Sequence, residues 1–397
     1  METPYFLIHR DTMEENLSSF RQALEEEWGE GRIAYSVKTN ACAYVLSFMK
    51  EQGVLAEVVS DDEYLLARDV GFAPGEIVFN GPIKGKELFL QAVTEGAFVH
   101  IDSRRELSWL EELPEGQVYP VGLRVNLDLS PLCPEDVGLE GEGYRFGFSY
   151  ENGDFLWALK RLSACKKVRL SGLHFHCNSI TRSPAVYGHM AKKAAELLEK
   201  YDLDVEYVDM GGGFFGGVPG KPMAKMYIGT MAEKLRQSEK GRRIKLMIEP
   251  GSAFIGSAAD FVTTVTDVKQ TPYGRIVTTD GGRVNLDPLW KKTRYLYERT
   301  GLEREKVPLQ IVCGYTCMDH DRIMRLENEP ALEIGDTVTY KRVGAYTMSF
   351  EGMFIRRHPP VYALEAGQVR LVRKRPSLAL MEQVLGLEPQ QTKEKED

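Results

Sequence analysis

Between residue 10 and about residue 255 the chain repeats one pattern eight times: a short, nearly continuous apolar run, then an amphipathic stretch. The runs are RIAYSVK (32–38), AEVVS (56–60), EIVFNG (76–81), AFVHIDS (97–103), VYPVGLRVN (118–126), VRLSGLHFH (168–176), VEYVDMGGG (205–213) and IKLMIEPG (244–251). Their β-branched character and lack of polar alternation are those of parallel strands covered on both faces. The segments between them, such as DDEYLLARDVGF (61–72) and PAVYGHMAKKAAELLEKY (184–201), have the apolar spacing of surface helices. Eight such units predict an α/β fold closed into a (β/α)₈ barrel over residues 10–257. Such regular spacing favours closure over an open doubly wound sheet.

From about residue 258 the texture changes. AADFVTTVTDVKQTPYGRIVTTDGG and EIGDTVTYKRVGAYTMSF gather β-formers around turn residues, predicting a mainly antiparallel β-sandwich or β-barrel-like domain over 258–388. Residues 1–9 read as a further strand of that domain. The polar end, 389–397, reads as a disordered tail.

A net charge of −8 argues against nucleic acid or an anionic membrane as partner. No apolar run reaches the about 18 residues that a membrane helix needs. The opening METPYFLIHRDTMEENL lacks the basic and long apolar regions of a secretory leader. Six dispersed cysteines suit a reducing, cytoplasmic setting, and the Cys313–Cys317 pair has no second pair to complete a zinc site, so no metal is expected.

In such a barrel the chemistry sits at the C-terminal ends of the strands. The residues there are Lys38, Glu57, Asn80, Arg124, His174, His176, Gly211, Gly212, Gly213 and Glu249. Lys38 fits two roles. It is either the ion-pair partner of Glu57 or a nucleophilic amine that forms a Schiff base with an aldehyde. The glycine run is either a plain flexible loop or a set of backbone N–H groups that can approach a phosphate closely. His176 is either a core histidine or a flat ring stacked on a cofactor. Glu249 ends an apolar strand and needs a cationic or hydrogen-bonding partner.

Taken together and in order, these motifs resemble the fold-type III pyridoxal-phosphate decarboxylases, the group of the diaminopimelate, ornithine and carboxynorspermidine decarboxylases. YSVKTN resembles the family's lysine motif, which implies that Lys38 holds pyridoxal 5'-phosphate. LHFHCNS places His176 as the stacking histidine and Ser179 as a phosphate contact. DMGGGF resembles the phosphate loop, and EPG sets Glu249 opposite the pyridine nitrogen, with Gly251 beside it. CGYTCMDHD supplies Cys317 as the proton donor at Cα, and Asp321. GAYT offers Tyr346 to the phosphate or the substrate. EVVS, FNGPIK, RFGFS and PPVYAL match more loosely, over nearly the whole chain. The resemblance implies a homodimer with shared active sites, in which the cysteine segment comes from the partner chain.

The chain also departs from the pattern. Met318 follows Cys317 where relatives that act on basic amino acids carry an acidic residue. A thioether cannot accept that charge-assisted bond, a loss of roughly 1.5–3 kcal/mol. Asp319 is adjacent and could substitute. Ser252 follows EPG where the family usually has arginine, with Arg283 or Lys291 as compensating cations. These departures point to decarboxylation of an unusual, conjugated or carrier-linked amino acid, as in natural-product or siderophore pathways. The alternatives are diaminopimelate or another basic amino acid as substrate, a racemase on the same barrel, a non-catalytic pyridoxal-phosphate-binding protein, and a sugar-phosphate enzyme with a catalytic lysine. Glu249 favours decarboxylation over racemisation, since a carboxylate keeps the ring nitrogen protonated.

Overall fold

The structure is a computed structural model and describes residues 1–136 and 142–387. The chain forms two compact units, one of residues Thr12–Ser257 and the other of Met1–Asp11 together with the chain from Ala258 onward. The expected tail at 389–397 lies outside the described residues.

The chain opens with strand β1 (Tyr5–His9) of the second unit. The barrel then uses β2 (Gly31–Ser36), β3 (Leu55–Val58), β4 (Ile77–Phe79), β5 (Phe98–Ile101), β6 (Tyr119–Asn126), β8 (Val168–Phe175), β9 (Tyr207–Asp209) and β10 (Lys245–Ile248). A two-residue strand, β7 (Phe148–Ser149), adds to the end of β6. Every barrel pairing is parallel, and the ring closes where β10 meets β2 (Ile248 opposite Ile33) and β5 meets β6 (His100 opposite Gly122). All eight apolar runs are therefore barrel strands.

The strands are short because each is buried on both sides; within Ile77–Phe79 every residue is buried. Ala34, Val78, Tyr207 and Met247 meet in one buried cluster, covered by Leu55 and Phe98. The helices dock through apolar stripes and end on local signals. The helix Asp61–Val70 starts where Ser60 accepts the Glu63 N–H, and it stops at Gly71 in the left-handed region. None of the helices among the described residues is long and apolar enough to cross a membrane.

The second unit holds a nine-stranded sheet. Its long strand β11 (Ala259–Thr271) pairs with β1, β12 (Gly274–Thr279) and β16 (Thr337–Lys341). β13 (Leu296–Arg299), β14 (Lys306–Cys313), β15 (Arg322–Pro330), β17 (Val361–Glu365) and β18 (Gln368–Arg373) complete it. The sheet is mostly antiparallel, with two exceptions, β1–β17 and β12–β14. The N-terminal strand slots between β11 and β17, so it must run parallel to one of them.

That slot is pinned by charge. Asp260 on β11 is buried and takes His9 Nε2 at 2.9 Å and Lys341 Nζ at 2.5 Å. Burial alone would raise its pKa, but the bonds from His9 and Lys341 prevail and lower it. A carboxylate with a depressed folded pKa stabilises above its unfolded pKa, and that stabilisation is lost as pH falls through the folded value. Urea unfolding of Asp260→Asn should show a loss of about 1.5–3 kcal/mol at neutral pH. The gap to the unsubstituted protein should narrow on acidification below the ordinary aspartate range. An equal deficit at every pH would refute the ion-pair account.

Candidate active site

The barrel strands deliver their C-terminal ends to a single mouth, with a cavity of about 380 Å³. Lys38 does not end the strand itself. β2 stops at Ser36, and Lys38 sits in the short 3-10 turn Val37–Thr39 just beyond. That turn brings Lys38 Nζ to 2.8 Å from Glu57 Oε2, an oxygen that also accepts Ser36 Oγ at 2.6 Å. Asn80 Nδ2 reaches the other Glu57 oxygen at 3.1 Å. Glu57 is only 1% exposed, and these three donors meet the need of a buried carboxylate.

Asn80 lies just past β4 and binds a second carboxylate with the same nitrogen, Glu249 Oε1 at 2.6 Å. Its amide group must therefore face both carboxylates with NH₂, leaving Oδ1 for His100 Nδ1 at 2.6 Å. His100 Nδ1 then carries the hydrogen, and Nε2 accepts from the Tyr207 hydroxyl at 2.9 Å. Burial, reinforced by the neighbouring His174, pushes the His100 pKa well down, so it is neutral.

His174 stacks on His100 with ring centres 4.8 Å apart. It is fully buried, and burial and then Arg124 lower its pKa strongly. Neither ring nitrogen has a hydrogen-bond partner among the described residues; Nε2 lies 3.5 Å from Glu249 Oε2. Asp209, at the end of β9, accepts the Gly211 N–H at 2.9 Å. Burial and the adjacent Glu249 raise its pKa well above the carboxylate range, which makes it the protonated member of the pair. His100, Asp209 and Glu249 offer ligand atoms within 4.8 Å of one another, but both His100 nitrogens are occupied by Asn80 and Tyr207.

His176 follows β8 and presents an exposed ring to the cavity. Its Nδ1 accepts the Gly212 N–H at 3.2 Å, so the ring is neutral. The dense protein wall behind it, then Arg124 and Lys38, hold its pKa down to about 3. The glycine run is built in rather than loose. Gly211 O accepts the Glu249 N–H at 2.7 Å, and Gly212 O accepts the Tyr187 hydroxyl at 3.1 Å. A Cβ on Gly212 would lie 2.2 Å from Glu249 O, and one on Gly251 would lie 2.0 Å from Thr39 Oγ1. Only glycine lets these loops close on each other and on the Lys38 turn.

Arg124 Nη1 is paired to Asp102 Oδ2 at 3.0 Å, and its guanidinium lies 4.6 Å from the Phe146 ring centre. Val59, Pro82, Ile83 and Phe146 give the cavity an apolar lining, with Arg145 also present. Ser179 forms the corner of a turn, where its hydroxyl donates to Asp136 at 3.0 Å and accepts the Arg182 N–H at 2.8 Å.

The remaining expected residues, Cys317, Met318, Asp319, Asp321, Arg283 and Tyr346, belong to the second unit. Cys317 and Asp319 are exposed there. Asp321 is buried and clamps the cysteine loop, accepting Arg283 N at 2.8 Å and Thr316 Oγ1 at 2.6 Å. Arg283 Nη2 is held by Asp287 at 2.6 Å. Tyr346 has φ +56° and packs its ring edge-on to Phe350. Sequence reasoning missed His100 and Asp209, which adjoin Asn80 and Glu249, and Tyr187, which braces the glycine run. The legible signal was a histidine inside an apolar run, AFVHIDS, and an aspartate before three glycines.

This donor set fits pyridoxal phosphate. It combines an accessible lysine amine, a flat neutral histidine, a carboxylate, a buried histidine with unfilled polar atoms, and a closely packed glycine loop.

The pyridoxal-binding domain of the pyridoxal-dependent decarboxylases matches residues 10–256. The diaminopimelate decarboxylase of Actinosynnema pretiosum subsp. auranticum is 29% identical over 387 residues, spanning 94% of this chain and 86% of that protein. That of Methanocaldococcus jannaschii is 26% identical, spanning 95% and 90%. Among solved structures, an M. jannaschii diaminopimelate decarboxylase superposes with a TM-score of 0.89 at 24% identity, covering 98% of this chain and 93% of that one. The arginine decarboxylase of Paramecium bursaria Chlorella virus superposes at 0.77 with 19% identity, covering 91% and 96%. The chain belongs to the pyridoxal-dependent decarboxylases, as a fold-type III enzyme that uses pyridoxal phosphate to decarboxylate an amino acid.

Proposed function

We propose that the chain removes the α-carboxylate of a conjugated or carrier-linked amino-acid substrate, in a biosynthetic pathway of the natural-product or siderophore type. The observation that carries this reading is Met318, which follows Cys317 where a receptor for a distal amine would be acidic. Two further features agree with it. The Arg283 guanidinium is occupied by Asp287 and by Lys292 O, so it is not poised for a distal carboxylate. The barrel cavity has an apolar lining of Val59, Pro82, Ile83 and Phe146.

When bound, pyridoxal phosphate supplies an electron sink for the pair released as the Cα–carboxylate bond breaks. The chain's own residues do the rest. Lys38 would hold the cofactor's aldehyde end, with Glu57 positioning its Nζ from 2.8 Å. Glu249, held by Asn80, would take the ring nitrogen, while His100 satisfies the oxygen of the same amide. His176, kept neutral, offers its ring to stack on the cofactor. Gly213 and Tyr346 would serve its phosphate, with Gly211, Gly212 and Ser179 shaping the loops around it. Carbon dioxide leaves, and Cys317 from a second copy of the chain returns a proton to Cα. Met318 and Asp319 would lie toward the substrate's far end in the same homodimer, on the loop that Asp321 braces against the Arg283 backbone.

A second reading, decarboxylation of diaminopimelate or another basic amino acid, is favoured by the curated relatives. It would need Asp319 to take the role Met318 cannot fill.

A carbon-dioxide release assay over free and conjugated amino acids separates the two. The expected result is turnover of conjugated substrates with little from meso-diaminopimelate; rapid release from meso-diaminopimelate would select the second reading. Glu249→Gln should keep the cofactor's visible band yet slow turnover by about 100-fold or more, the scale of a lost preorganised electrostatic partner. Near-normal turnover would remove Glu249 from the mechanism.

A further inference from the structure

The Gly211 and Gly212 N–H groups are taken by Asp209 and His176, and the Ser179 hydroxyl gives its hydrogen to Asp136. A phosphate held there needs a cation for charge-assisted bonds. Position 252, beside the loop, is a serine. The Arg283 guanidinium is already tied to Asp287.

Arg182 reaches the place instead. Its Nη1 donates to Ser252 Oγ at 3.2 Å, 70 residues away in sequence. Its guanidinium rests 4.9 Å from the ring centre of Phe215, in the continuation of the glycine loop. The backbone beneath it is tightly specified. Arg182 adopts φ +53°, its N–H is taken by Ser179 Oγ at 2.8 Å, and its carbonyl accepts the Tyr227 hydroxyl at 2.8 Å. Asp136 fastens the same turn through Ser179 and the Thr181 N–H. A left-handed conformation is unfavourable for arginine and persists only where its surroundings impose it. Among the described residues no carboxylate lies within ion-pair distance of Arg182, so its charge is uncommitted. Ser252 accepts from it but cannot neutralise it.

We propose that Arg182 is the cation of the cofactor's phosphate subsite, supplying from the loop after β8 the charge that position 252 lacks. This rests on the reading that pyridoxal phosphate occupies the barrel mouth. The assigned role is selective: Arg182 should matter for a ligand bearing phosphate and little for the same ring without it.

The test is equilibrium titration of cofactor-free protein with pyridoxal phosphate and, separately, with pyridoxal, followed by absorbance. The intact protein should prefer pyridoxal phosphate. Arg182→Gln should cut that preference by roughly tenfold or more while leaving pyridoxal affinity nearly unchanged. Lys221→Gln removes another cation near the Phe215 ring, 5.2 Å from its centre, and should leave the preference intact. Restoring charge from the other side, in Arg182→Gln with Ser252→Arg, should recover the preference, which a merely damaged fold could not do. An unchanged preference in Arg182→Gln, or a folded double variant that recovers none, overturns the assignment while the cofactor reading stands. Failure of the intact protein to bind either compound overturns both.

Discussion

One buried amide, Asn80, holds the site together. Its single NH₂ group bonds Glu57 and Glu249 at once, two carboxylates that line the same cavity. Like charges in a poorly hydrated interior repel strongly, and a shared donor is the simplest way to keep both in place. Everything around Asn80 keeps it from turning over. The two carboxylates fix the amide, so His100 donates to its oxygen and accepts from the Tyr207 hydroxyl on the far side of the imidazole. Flipping the amide would set oxygen against two carboxylates and leave His100 facing a donor. The orientations of Glu57 and Glu249, two strands apart in the barrel, are thus one decision.

The barrel explains why those groups can meet. Glu57, Asn80, His100, His174, Asp209 and Glu249 come from six different strands or their ends; neighbouring strands bring Glu57 to Asn80 and His174 beside Asp209, and closure of the sheet sets His100 against His174 and Tyr207. Closure also sets the electrostatics. Burial lowers the pKa of His100 and His174 and raises that of Asp209, which leaves all three uncharged. The second unit serves a different end. Its cysteine loop is braced internally by Asp321, which holds Cys317 exposed.

Much of the fold was legible because its signals are local. Strands buried on both faces read as apolar runs, and all eight were visible. The turn that lifts Lys38 off the end of β2 was not, since Val37–Thr39 reads as strand until Gly251 is seen to press on Thr39. The two parallel pairings of the second unit were equally hidden, because direction is set by which strand the N-terminus slots beside. At the site, residue types announced Lys38, His176, the glycine run and Glu249. His100 and Asp209 looked like interior strand residues, and only the closed ring turns them toward Asn80 and Glu249. Arg182 was beyond sequence reasoning, because its meaning lies in a contact with Ser252 that no spacing rule connects.

The claim on which the rest stands is that Lys38, aimed by Glu57, is the covalent attachment point of the cofactor. Reducing the loaded protein with borohydride, digesting it and mapping the modified peptide by mass spectrometry addresses that claim directly, because reduction makes a lysine–pyridoxyl link permanent. The account predicts a single phosphopyridoxyl group on Lys38. Modification of another lysine, or no modification of a protein supplied with excess cofactor, would contradict it.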